Sequence, residues 1–138
     1  MVESKEFDSI KLSYDEDDKY INFEYLKSSK SDDFRAAWNA ALKIQEDKNC
    51  KKWLLNQKKQ SIHPEDQKWV ETDWIQRSMK ATPFSEDDPR YVAIIQAENF
   101  FVEFSTKKFI KENSFPGFII NIFRNAEDGV KWLKEVGA

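Results

Sequence analysis

One cysteine and one histidine, Cys50 and His63, are the only thiol and imidazole in 138 residues. A structural zinc site takes about four ligands from such side chains. These two cannot supply one, and a single cysteine has no partner for an internal disulfide. Nucleophilic catalysis by a Cys–His couple needs the thiol activated beside its base. Neither residue sits in a nucleophile motif. Cys50 reads instead as a small apolar residue between a helix and a strand, and one unpaired thiol fits a reducing compartment. His63 precedes Pro64 and reads as a turn residue at a helix start.

Carboxylates are the other candidates for chemistry. Glu65, Asp66, Glu71 and Asp73 could form an acid–base pair or hold a metal. Glu65 and Asp66 directly follow Pro64, however, and acids in a first helical turn stabilise the helix by opposing its positive end. Asp15–Asp18 has the charge of a calcium loop but lacks its Gly and terminal Glu, so it reads as a turn. Gly117, Gly129 and Gly137 are isolated, which excludes a glycine-rich phosphate loop. Lys48, Lys51, Lys52, Lys58 and Lys59 cluster around Trp53, but Glu46, Asp47, Glu65 and Asp66 dilute the cluster. It reads as a solvated rim, not a nucleic-acid site. No catalytic constellation, cofactor or metal site is expected, and the chain reads as non-enzymatic.

Composition agrees. Lys and Arg number 22 against 25 Asp and Glu, a net charge of −3. That mild acidity disfavours a nucleic-acid partner. Aromatics make up 14%, too many for a disordered chain. No apolar run approaches the ~20 residues of a membrane span, and Met1–Asp8 has no apolar export core. A single cytoplasmic domain is the expectation.

The elements that must position these residues alternate. Ile10–Tyr14 and Tyr20–Lys27 alternate apolar and polar residues across an acidic turn, which predicts a hairpin. Ser31-Asp32-Asp33 opens a helix whose face is Phe34, Ala37, Trp38 and Ala41, with Gln45 as a polar exit. Lys52–Gln57 is a short strand. Pro64 opens a second helix to about Lys80, its face marked by Val70, Trp74, Arg77 and Ser78; Thr82-Pro83 stops it. Arg90–Gln96 and Phe118–Phe123 read as buried parallel strands. Asn99–Lys111 reads as a third helix. Asn125 and Asp128 form a capping pair before a last helix with Ala126, Gly129, Val130, Leu133 and Val136 on its stripe. The fold class is α/β, ordered β-β-α-β-α-β-α-β-α, with a mostly parallel sheet and an antiparallel first strand at or near an edge.

That order resembles the STAS fold of anti-sigma-factor antagonists and its SEC14-like lipid-binding neighbours. Trp53–Ala81, about a fifth of the chain, resembles a group of small bacterial STAS-like proteins, in which Trp53, Pro64, Glu65, Asp66, Trp69 and Trp74 match a shared pattern. The antagonists carry a phosphorylatable Ser in an Asp-Ser-small-Gly turn. Here that stretch is Asn56–Pro64, without such a motif. Ser61 is its nearest hydroxyl, and it reads as a loop or capping residue. The resemblance implies a regulatory or protein-interaction module, or alternatively a binder of a small apolar ligand or lipid.

Tryptophan is the remaining signal. Trp38 and Trp132 fall on or beside apolar stripes. Trp69 and Trp74 are five apart, roughly 140° around a straight α-helix. They are therefore expected to divide, one inward and one at a rim. Trp is enriched in binding hot spots, so the expected partner surface is Lys58, Lys59, Ser61, His63, Trp69 and Trp74. Eleven Phe and five Trp exceed what so short a chain comfortably buries, which predicts a homodimer.

Overall fold

The computed structural model describes residues 2–6, 9–26, 31–57, 64–96 and 117–136, with only the backbone of 2–6. It is α/β. Its strands are β1 (Val2–Glu6), β2 (Ile10–Asp15), β3 (Tyr20–Tyr25), β4 (Lys52–Asn56), β5 (Arg90–Ile95) and β6 (Phe118–Phe123). Its helices are α1 (Ser31–Lys48), α2 (Pro64–Trp69), α3 (Ile75–Ala81) and α4 (Ala126–Glu135). A π-helical turn, Val70–Trp74, joins α2 to α3. The expected helix over Asn99–Lys111 lies outside the described residues.

The sheet order is β1-β2-β3-β4-β5-β6. β2 runs antiparallel to both β1 and β3, and β3 to β6 are mutually parallel. The five expected strands are all present. β1 is an addition, and it places Ile10–Asp15 second from the edge. Val2–Glu6 has one apolar residue in five, so it shows no alternation; backbone pairing with β2 makes it a strand.

The hairpin turn closes through Asp15. Its Oδ1 accepts the backbone N–H groups of Asp17 and Asp18, both at 3.0 Å. Lys19, at φ +57°, completes the reversal and donates its N–H to the Asp15 carbonyl at 2.8 Å.

One face of the sheet carries α1 and the α2–α3 helix. Ile10, Leu12 and Tyr14 from β2 meet Ile21, Phe23 and Tyr25 from β3, Trp53 and Leu55 from β4, and the inner face of α1. The opposite face is covered by α4, through Leu54, Ala93, Ile95 and Leu133. Gly129 allows that approach: a Cβ there would sit 3.0 Å from Leu54 and Ile95 side-chain carbons. The expected cap of α4 is present, with the Asn125 side chain accepting the Asp128 N–H at 2.9 Å.

Two expectations about burial are corrected. Gln45 is not a polar exit: it is 2% exposed, at the centre of a hydrogen-bonded group. β6 is not a buried strand, because none of its six residues is buried. It ends the sheet, so only β5 flanks it among the described strands.

Candidate functional site

The aromatic residues of the first face form one connected layer. The Phe23 and Trp38 rings stack at 4.3 Å between centroids, and Trp38 meets Trp74 edge-on at 4.7 Å. Trp53 lies 5.9 Å from Trp38 and 5.5 Å from Trp74. Buried indoles need partners for their N–H groups, and each has one. Trp38 donates to the Tyr25 hydroxyl at 3.2 Å, Trp53 to Gln45 Oε1 at 3.2 Å, and Trp74 to the Trp38 carbonyl at 2.8 Å. Gln45 Oε1 also accepts from the Ser78 hydroxyl at 2.9 Å, while its amide donates to the Ser78 carbonyl and Thr82 Oγ1.

Trp69 stands at the rim of this layer. It is half-buried and packs against the same aromatic cluster, 6.5 Å from Phe34. The expected division is found, Trp74 inside and Trp69 at the rim, but the two indoles pack on one cluster instead of lying on separate sides of the helix. The π turn is the reason. The Ile75 N–H bonds to the Val70 carbonyl, five residues back, so the helix is locally wider than an α-helix. A five-residue separation then returns closer to the same side. The same shift buries Ile75 and leaves Arg77 exposed, where a straight helix would face Arg77 inward.

Two guanidiniums lie over the Trp69 ring, Arg35 at 5.2 Å and Arg77 at 5.7 Å from its centroid. Each is oriented by polar neighbours. Arg77 donates to Asp73 one turn earlier and to Asn39 Oδ1 of α1 at 2.8 Å. Arg35 Nε donates to Asp66 Oδ1 at 3.3 Å. Asp66 is therefore more than a first-turn acid. Only 1% exposed, it ties α2 to α1 beneath the rim. Its charge also adds to the burial that pushes the Tyr25 hydroxyl above its ordinary range, against the opposing hydrogen bond from Trp38.

Of the expected surface, Trp69 and Trp74 meet on one cluster, Trp69 at its rim and Trp74 inside it. Lys58, Lys59, Ser61 and His63 lie outside the described residues. The other lysines of the expected rim have partners. Lys48 faces Glu16 and the Tyr14 ring, Lys51 pairs with Asp88 at 2.7 Å, and Lys52 donates to the Leu133 carbonyl at 2.6 Å. Cys50 is buried at the junction of α1 and β4, and burial pushes its thiol up to about 11.

Arg35, Asn39 and Arg77 were not singled out by residue type and spacing as rim residues. The Asp73–Arg77 spacing of four was the available signal, but it indicates an exposed helix pair and not its position over an indole. Arg35 follows Phe34 on a different side of α1, and only the packing of α2 shows what it faces.

No helix among the described residues is long and apolar enough to cross a membrane. Comparisons of the chain with protein-family models, with curated proteins and with solved structures return no match.

Proposed function

We propose that this protein is a non-enzymatic interaction module of STAS-like type, which docks on a regulatory protein partner through the rim formed by α1 and α2. The observation that carries the reading is Trp69: a half-exposed indole, backed by a rigid aromatic layer and flanked by two oriented guanidiniums. Trp and Arg are the residue types that most often dominate binding energy at protein interfaces. Pre-orientation lowers the ordering cost of binding. The sequential parallel strands after an antiparallel hairpin also support the STAS-like reading.

The test is affinity capture from the source cell with wild-type protein and Trp69→Ala, followed by titration of any recovered partner against both. A partner lost with Trp69→Ala supports the proposal. Equal binding by both proteins, or no partner together with a measurable turnover, overturns it. Native mass spectrometry of the freshly purified protein provides the other arm: a retained apolar molecule would favour the ligand-binding alternative.

A further inference from the structure

β6 has a composition at odds with its environment. Phe118–Phe123 contains five large apolar residues and one Asn, yet none is buried. Ile119 is 40% and Ile122 38% exposed. They lie on opposite faces of the sheet, as an odd and an even position of one strand must. β5, one strand inward, buries Ala93, Ile94 and Ile95.

The backbone direction of the edge follows from its hydrogen bonds. The Arg90 N–H donates to the Gly117 carbonyl and the Gln96 N–H to the Phe123 carbonyl, both at 2.8 Å. In a parallel ladder, alternate residues turn both backbone groups toward the same neighbour. Ile119, Asn121 and Phe123 therefore face β5, in register with Tyr91, Ala93 and Ile95. Phe118, Ile120 and Ile122 turn their N–H and C=O groups outward. A row of such groups is a template for another strand.

We infer that β6 pairs antiparallel with β6 of a second copy of this chain, continuing the sheet across a two-fold axis. The alternation selects the register. With Asn121 meeting its own copy at the axis, Ile120 stands opposite Ile122, and Ile119 opposite Phe123. Ile120 and Ile122 then exchange their outward hydrogen bonds in both directions. Each exposed isoleucine gains an apolar cross-strand neighbour, the pairing that stabilises sheets. The register one step away would set Ile119 against Asn121.

Charge contrast selects a second β6 over the other sheet edge. β6 has no ionisable residue, whereas β1 carries Glu3, Lys5 and Glu6 in five positions. An apolar strand pairs better with its own copy than with β1. Pairing β6 to β1 would also leave free edges and grow without closing. One six-residue strand pair covers less than the roughly 1,600 Å² of a standard interface, so the dimer dissociates on dilution. The pairing does not involve the Trp69 rim.

The experiment is sedimentation equilibrium of the full chain from low-micromolar to near-millimolar concentration, with amide exchange followed by NMR across the same series. The expected result is a reversible dimer. The amides of Ile120 and Ile122 slow as concentration rises, while those of Ile119 and Asn121, bonded to β5, do not change. Ile122→Pro deletes one outward N–H and leaves the β5 ladder whole, which edge strands tolerate. It should weaken the dimer by about tenfold or more, and Ile119→Lys should weaken it from the other face. If Ile122→Pro does not fold, the wild-type exchange series decides. A monomer throughout the series overturns the inference. So does growth past the dimer, or exchange at Ile120 and Ile122 that ignores concentration.

Discussion

The indole N–H of Trp74 donates to the backbone carbonyl of Trp38 across 2.8 Å, joining the π turn to the middle of α1. The contact joins two of the four elements, β3, α1, β4 and the π turn, whose rings build the buried aromatic layer. Its donor is a ring 6% exposed, in edge contact with both Trp38 and Trp53. Removing the ring leaves a large void. Trp74→Ala should cost about 3–5 kcal/mol. Trp74→Phe keeps most of the packing and loses the N–H bond, so it should cost about 1–2 kcal/mol beyond any change in fit. Urea titrations followed by circular dichroism give both values; equal costs for the two variants would mean that the hydrogen bond matters and the ring volume does not.

Gln45 is the polar counterpart of that layer. Its carbonyl oxygen serves Trp53 and Ser78, and its amide serves the Ser78 carbonyl and Thr82. Gln45→Leu keeps the volume and strands several buried groups, each costing about 1–3 kcal/mol. The expected loss is at least ~2 kcal/mol, seen as a lower urea midpoint with an unchanged slope. Gln45→Leu matching wild type would show that water reaches these groups.

Most of the element order was legible because it depends on local pattern. Ile10–Tyr14 and Tyr20–Tyr25 alternate, Asn125 caps α4, and Phe34, Ala37, Trp38 and Ala41 repeat at helical spacing; all appear as expected. Whatever depends on a distant neighbour was not legible. β1 is a strand only because β2 lies beside it. β6 has the composition of a central strand and the position of an edge. Gln45 reads as polar surface until Trp53 arrives from β4 and Ser78 and Thr82 from the end of α3.

The π turn failed for a different reason. Val70–Trp74 has ordinary α-helical φ and ψ at both flanking residues, Trp69 and Ile75. No residue in VETDW breaks a helix by type. The wider turn satisfies tertiary packing, letting two indoles five positions apart reach one cluster, and no helical periodicity encodes that.

Cys50 supplies a pH dependence. Burial outweighs the backbone hydrogen bonds at Lys52 and Ile21 and the Lys52 and Arg90 charges, which favour the thiolate, and raises the thiol from 9.0 to about 11. As pH rises from 9 toward 11, the unfolded chain releases this proton while the folded chain retains it. The unfolded state then binds fewer protons, so stability falls with rising pH. The loss attributable to Cys50 approaches about 2–3 kcal/mol near pH 11. Cys50→Ala should flatten the onset of that decline in thermal melts between pH 8.5 and 10. The native thiol should also react far more slowly with an alkylating agent at pH 8 than it does in urea. Rapid alkylation of folded protein would contradict the burial.

Arg35 and Asp66 make an unequal pair, and the inequality can be measured. The Arg35 side chain is 44% exposed and that of Asp66 is 2% exposed, with 3.3 Å between Nε and Oδ1. Water can solvate Arg35 when the carboxylate is removed, but it reaches Asp66 poorly when the guanidinium is removed. Breaking a fully buried pair by deleting one partner costs about 3–5 kcal/mol; Arg35 is half in water, so the pair lies below that range. Arg35→Ala should cost about 2–3 kcal/mol, including the lost contact with the Trp69 ring, which contributes roughly 0.5–1 kcal/mol. Asp66→Asn keeps the volume and should cost less than Arg35→Ala. In the double variant no buried carboxylate is left facing the space vacated by Arg35, so the combined cost should fall below the sum of the two. A double-mutant cycle in urea measures the coupling. Strict additivity would mean that Arg35 does not compensate the buried carboxylate and that α1 and α2 are held by the aromatic layer alone.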